Sequence, residues 1–535
     1  MHRGIGQAAA GMAACALVLA ACSAGPSRSV PPEPTDLTPF LNQDVAWSDC
    51  PASDDFLDDI PDEAQCATVQ VPVDYFDGAS GRGTLDLALI RVSASGPSQG
   101  SLLVNPGGPG ASGFELVARS GKQLQRNLPG YDIVGFDPRG VARSAGFDCK
   151  QSTSARKALI EQDFTPEDPA EFEETYQRSD DYERACRDAY PAWGFLGTSS
   201  VARDVHVISR ALGDPGINFY GISYGSAIGY EILRTFPDDV DRMILESPVD
   251  PSVDQVVAEQ LKAFNAKIEE LLVLCASPEY SYCGQGRTAA QVRDDFLAIA
   301  ADIENPDLGT LTGDGTPSET LVYYGMLLPL YAEWNDEYAK LYIDALTALL
   351  NDGVASNFER WGYLYQGYDP TQRAFFQTDD IQQLVLCLDE SKPLAETDIE
   401  QERSDDAAEI AAIERDAPLL YAVGFSDTYL GDDRAFGPCS YAQEAFADPT
   451  IPDPLPEAPD VTNPASAPVL VLGISGDTAT PYQWSQTIAG KLGVPLVTQD
   501  TTGHGVYVES QNPCTRDVVA TYLGSATLPS TDVTC

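Results

Sequence analysis

Between Gly100 and Pro248 short apolar runs alternate with stretches of helical spacing, and each run breaks off into a turn. The runs are "GSLLVNPGG", "YDIVGFDPRG", "INFYG" and "DRMILESP". Between them lie "GFELVARSGKQLQRNL" and "SVARDVHVISRALG", whose apolar residues recur every three or four positions. Strands buried on both faces read as continuous apolar runs, and parallel neighbours need helical crossovers. This alternation therefore predicts an α/β fold with a mostly parallel central sheet. Upstream, "ATVQVPVDYF" and "GTLDLALIRVSA" alternate around a glycine-rich turn and predict a hairpin.

The pattern then changes. Residues 251–460 hold mainly amphipathic helices, such as "VDQVVAEQLKAFNAKIEELLVLCA", "AAQVRDDFLAIAADI", "DEYAKLYIDALTALLNDG" and "QTDDIQQLVLCLDE". They end in the proline-rich "DPTIPDPLPEAPDVTNPASA", after which "PVLVLGISGD" reads as a buried strand again. The expected organisation is a core over 46–250, a large helical insertion over 251–460, and the rest of the core over 461–535.

Before the core, "MHRGIGQAAAGMAACALVLAAC" has a basic start, an apolar run and small residues ahead of Cys22. It predicts an export signal over 1–21, with an apolar run too short to serve as a stop-transfer helix. Leu19-Ala20-Ala21-Cys22 resembles a bacterial lipobox, which implies lipidation of Cys22. Residues 22–45, rich in proline and serine, suit a solvated tether. The expected location is the cell envelope, lipid-anchored on the outer face of the plasma membrane, or released outside. The formal net charge of −49 repels phosphate backbones, so nucleic acid is excluded as a partner.

Cys15 lies in the signal and Cys22 at the lipobox. Ten cysteines remain: Cys50, Cys66, Cys149, Cys186, Cys275, Cys283, Cys387, Cys439, Cys514 and Cys535. An even number in an exported chain predicts disulfides, whose connectivity sequence alone does not fix. The simplest pairing joins neighbours. With no Cys-x-x-Cys pair and few histidines, no metal site and no cofactor are expected.

Gly221-Ile222-Ser223-Tyr224-Gly225 stands where the strand "INFYG" turns into the helix "SAIGYEIL". The motif also fits an ordinary tight turn, but at a strand-to-helix bend it suits an exposed nucleophile. A base follows by elimination. His2 lies in the signal, and His206 falls mid-helix and reads as packing, so His504 in "TTGHGVY" remains. Asp477, directly after "VLVLGISG", suits the acid that orients the imidazole. Rivals are Glu246, after "DRMIL", and Asp137, which reads as a brace for its own turn. The order Ser223, Asp477, His504 is that of α/β-hydrolases. "NPGGPGASG" can bring backbone N–H groups to a developing oxyanion, and the Tyr224 N–H is the second candidate donor.

Taken with "CATVQVPVDY", "NPGGPGASG", "GFDPRGVARS", "YGISYGS", "LVLCLDE", "GDTATP" and "GHG", the chain resembles the secreted actinobacterial tripeptidyl aminopeptidases, relatives of the proline iminopeptidase-like serine peptidases. The likeness runs from Trp47 to the C-terminus. It implies an α/β-hydrolase fold, a Ser223–His504–Asp477 triad, and Gly108 with Tyr224 as oxyanion donors. It also implies that the insertion is a lid whose acidic residues receive a substrate's free α-amine, with Asp389 first and Glu390 second. The implied activity is release of short peptides, tripeptides by analogy, from free N-termini. Two positions depart from the family: Glu246 stands where aspartate is expected, and Ala142 where glycine is usual. The alternatives are a carboxylesterase of the same fold and a non-catalytic ligand-binding envelope lipoprotein.

Overall fold

The computed structural model describes residues 36–535 apart from 55–56, 58–59, 77–81, 163–168, 191, 254–255, 312–316, 333–334, 376–379, 391–398, 425–468 and 509. The expected signal, Cys22 and Cys439 lie outside the described residues.

One ten-stranded sheet organises the chain. Its first strands are β1 (Ser48–Asp49), β2 (Gln65–Pro72), β3 (Thr84–Val92), β4 (Ser101–Asn105), β5 (Asp132–Phe136), β6 (Ile217–Ile222) and β7 (Val240–Glu246). A small ladder, β8 (Tyr368–Asp369) with β9 (Ala374–Phe375), belongs to the insertion. The sheet resumes with β10 (Leu470–Gly476), β11 (Leu496–Thr502) and β12 (Val533–Thr534). The order is β1-β2-β3-β5-β4-β6-β7-β10-β11-β12. Pairs from β1 to β5 along the edge are antiparallel. From β5 onward every pair is parallel. The predicted hairpin is β2–β3, with Gln65 opposite Arg91 and Pro72 opposite Thr84.

Successive residues of the central strands feed opposite faces, as the pleat requires. Leu89, Leu103 and Phe219 join one core, while Ile90, Leu102 and Tyr220 join the other. The helices Gly113–Asn127, Thr198–Ala211 and Gly225–Thr235 supply the crossovers. The first starts at Ser112, whose hydroxyl accepts the Glu115 N–H at 2.9 Å and so satisfies an orphan donor of the first turn.

After β7 the chain builds a helical layer with its own core around Leu261, Phe264, Ile268, Tyr342, Leu346 and Phe358. Its helices include Val256–Cys275, Ala289–Ala300, Asp336–Asp352 and Asp380–Glu390, near the amphipathic stretches of the sequence. Glu319–Leu327 and Ser356–Tyr365 were not expected. They cross where Gly325 meets the Phe358 carbonyl and Gly362 meets that of Leu321, at distances that leave no room for a Cβ. The first is apolar around much of its circumference, so it shows no amphipathic stripe.

Disulfides join Cys50–Cys66, Cys149–Cys186, Cys275–Cys283 and Cys514–Cys535. Cys387 is also disulfide-bonded. No helix among the described residues is long and apolar enough to cross a membrane.

Candidate active site

The carboxyl ends of β4, β6, β7, β10 and β11 bring the expected residues to one edge of the sheet. All six residues of β6 are buried, and the chain turns at Ser223 into a helix beginning at Gly225. Ser223 has φ +56°. A non-glycine residue in that left-handed conformation costs roughly 1–2 kcal/mol, which the surroundings must offset. They do so through backbone bonds. The Ser223 N–H donates to the Glu246 carbonyl at 2.9 Å, and Ser226 donates to the Ser223 carbonyl from N–H at 2.9 Å and hydroxyl at 2.6 Å. The flanking glycines answer a steric need. A Cβ on Gly221 would lie 2.3 Å from the Gly225 carbonyl oxygen, and one on Gly225 would lie 2.7 Å from that of Asn105.

The "NPGGPGASG" loop leaves β4 beside this bend. A Cβ on Gly107, at φ +89°, would sit 2.5 Å from the Ile222 carbonyl oxygen and 2.7 Å from the Tyr224 nitrogen. Backbone of the glycine loop and backbone of the elbow thus lie in contact. Gly108, exposed at the tip, accepts a 3.3 Å bond from the Gln382 side chain of the helix Asp380–Glu390.

His504 follows β11, and its Nδ1 lies 3.0 Å from each oxygen of Asp477, which follows β10. Asp477 also accepts from the N–H groups of Ala479 and Thr480 at 3.0 and 2.9 Å, and from the Thr480 hydroxyl at 3.1 Å. Burial pushes the His504 pKa down most strongly of any single effect. The charge and hydrogen bond of Asp477, with the charge of Glu246, outweigh it and hold the imidazole above its ordinary 6.5. The His504 loop touches the bend at Ser223 as well: a Cβ on Gly505 would lie 2.7 Å from Ile222 Cγ2.

The insertion reaches the same place. The Tyr331 carbonyl accepts the His504 N–H at 2.9 Å, and the Leu330 carbonyl accepts the Thr478 hydroxyl at 3.0 Å. The Tyr331 ring stands edge-on to the imidazole with centroids 5.7 Å apart. Nothing in the sequence pointed to Tyr331.

Asp389 is buried beneath Tyr224. Its oxygens accept from the Thr198 N–H at 2.9 Å and the Tyr224 hydroxyl at 2.5 Å. Burial pushes its pKa up to about 6, against those hydrogen bonds. The Glu390 side chain lies outside the described residues. Of the other residues weighed from sequence, Asp137 accepts from the Ser112 hydroxyl and from Arg143, bracing its turn. His206 stacks on Phe236 at 4.4 Å, away from the site. Glu246 is fully buried, bonded to Tyr220 and to the Tyr507 N–H.

Residues 100–270 match the family described as alpha/beta hydrolase fold, and residues 434–535 match TAP-like protein. Over 548 residues the chain is 30% identical to "Serine protease Hip1" of Mycobacterium tuberculosis, covering 98% of this chain and 96% of the relative. The chain belongs to the tripeptidyl aminopeptidase-like α/β-hydrolases. "Carboxylesterase B" of the same organism is 29% identical over 536 residues, covering 93% of this chain and 91% of the relative. "Tripeptidyl aminopeptidase" of Streptomyces lividans is 28% identical over 511 residues, covering 92% and 86%. This TAP-like chain is a serine hydrolase, and the mostly parallel sheet is its α/β-hydrolase core.

Proposed function

We propose that this TAP-like hydrolase is an exported exopeptidase that releases short peptides, probed first as tripeptides, from free N-termini. Ser223 is the nucleophile, His504 its general base and Asp477 the group that fixes the imidazole tautomer. His504 takes the Ser223 proton as Oγ attacks the scissile carbonyl. The N–H groups of Gly108 and Tyr224 receive the oxyanion. His504 then protonates the leaving amine, and water hydrolyses the acyl-enzyme. The observation that carries this reading is the Asp477–His504 pair, both carboxylate oxygens at 3.0 Å, beside a serine held at φ +56°.

The helical insertion serves as the lid. Asp389 supports a subsite for the substrate's ammonium: it is a buried carboxylate next to the elbow, and no cation of the described residues is paired with it. Two accepted bonds leave carboxylate lone pairs available for an ammonium. Glu390 is the second candidate. Cys22 is the proposed lipid anchor to the outer face of the plasma membrane.

The test is a fluorophosphonate probe with a substrate panel. The probe should label Ser223, and Ser223→Ala should lose label and about a millionfold in turnover. Free peptides should be cleaved, and their N-acetylated forms should not. Label on another serine sinks the nucleophile assignment. A relative named carboxylesterase favours a second reading. Esters cleaved well, with free and acetylated peptides left intact, would establish it.

A further inference from the structure

Glu246 is a carboxyl group that the proposed mechanism does not use, yet it is fully buried at the centre of the site. A buried carboxylate without a cation is costly, so its retention asks for a cause. No cation among the described residues pairs with its side chain. Its connections run to the catalytic loops. The Glu246 carbonyl accepts the Ser223 N–H at 2.9 Å. Its side chain accepts the N–H of Tyr507, three residues beyond His504, at 2.7 Å, and the hydroxyl of Tyr220 on the strand leading to Ser223. The next residue continues the pattern. Ser247, at φ +47°, accepts the Gly505 N–H on its hydroxyl at 3.3 Å and the Thr480 hydroxyl on its carbonyl at 2.9 Å. The end of β7 therefore holds the nucleophile, acid and base loops together.

We propose that Glu246 is a positioning residue for the base, one that ties the His504 loop to the nucleophile strand and sets a second negative charge, besides Asp477, against the imidazolium formed in each transition state. This rests on the reading of His504 as the base. The electrostatics agree with the geometry. The Glu246 charge raises the His504 pKa, and His504 in turn favours ionised Glu246. Burial pushes the Glu246 carboxyl up to about 7, with the Asp477 charge adding to it and the Tyr220 and Tyr507 bonds opposing. The groups facing His504 are Asp477, Glu246, the Thr480 hydroxyl and the Tyr331 ring. Those facing Glu246 are Tyr220, Tyr507, His504 and Asp477.

The alternative is a carboxyl that only satisfies two hydrogen-bond donors, a task glutamine performs almost as well. Glu246→Gln separates the two. The chain has three histidines, so carbon-13-labelled histidine lets His504 be titrated by NMR with His206 as an internal control. Loss of the negative charge should lower the His504 pKa by about one unit, leaving His206 unmoved. The acid limb of kcat/KM on a small neutral ester should shift to lower pH by the same amount. Its plateau kcat should fall about tenfold, the rate equivalent of one unit, with KM unchanged. Tyr220→Phe removes one bond that favours the ionised carboxyl while keeping the ring, and should give a smaller shift of the same sign. An unmoved His504 titration in both variants overturns the proposal, whatever happens to activity. A moved titration with an unmoved limb supports the Glu246–His504 coupling and instead sinks His504 as the base.

Discussion

Asp477 carries more bonds than an orienting carboxylate requires. Three donors from Ala479 and Thr480 seat it before it meets His504. Asparagine would keep an acceptor for some of those donors, yet it could present an N–H to Nδ1 and favour the wrong tautomer. Asp477→Asn should therefore lower kcat by about 10⁴-fold with little change in thermal stability, read from steady-state kinetics and a melting curve. Single residues also show what the backbone demands. Ala142 has φ +37°, a left-handed conformation that favours glycine. The two side-chain bonds of Glu246 reach both β6 and the His504 loop.

The glycine loop after β4 is placed by contact with the elbow. Gly107→Ala would drive a methyl into Ile222 and Tyr224 backbone and push the loop away from Ser223. Turnover should fall about 10²–10³-fold, the range seen when one oxyanion donor is removed, while fluorophosphonate still reaches the serine. A second element holds by charge. In the turn after β5, Arg139 is fully buried and bonds both oxygens of Asp204, at 2.7 and 2.6 Å, on the helix Thr198–Ala211. It also donates to the carbonyls of Pro72, Val73 and Phe195. Asp204→Ala would strand a buried guanidinium, so urea unfolding should show a loss of about 3–5 kcal/mol.

Elements such as β6 were legible because local pattern dictates them: apolar runs, a helical period and a Gly-x-Ser-x-Gly bend. Asp477 and His504 were legible because each follows a strand of the same sheet. The Arg139–Asp204 pair, the Tyr224–Asp389 bond and the Tyr507–Glu246 bond were not, since they join residues 65, 165 and 261 positions apart and leave no periodic trace. The Gly325–Gly362 crossing was hidden for the same reason.

For the whole molecule, the net charge of −49 makes a field that favours cationic substrates. Salt screens it, with a Debye length of about 3 Å at 1 M. For a peptide with a free N-terminus, kcat/KM near neutral pH, where the amine still carries its proton, should fall between about 0.05 and 1 M salt, while a neutral ester should be little affected. Equal salt response in the two would remove long-range attraction as a cause. At this scale the cap and the chemistry are one structure. Leu330 and Tyr331 lend their carbonyls to Thr478 and His504, so the proposed lid is also a seat for the Asp477 and His504 loops. An outward swing of that segment would break the bond from the His504 N–H and loosen the seat of the imidazole. If the insertion opens as the proposed lid, admission and readiness exclude one another: the enzyme would idle while its door is open, and each cycle would include an interval in which the emptied site re-arms.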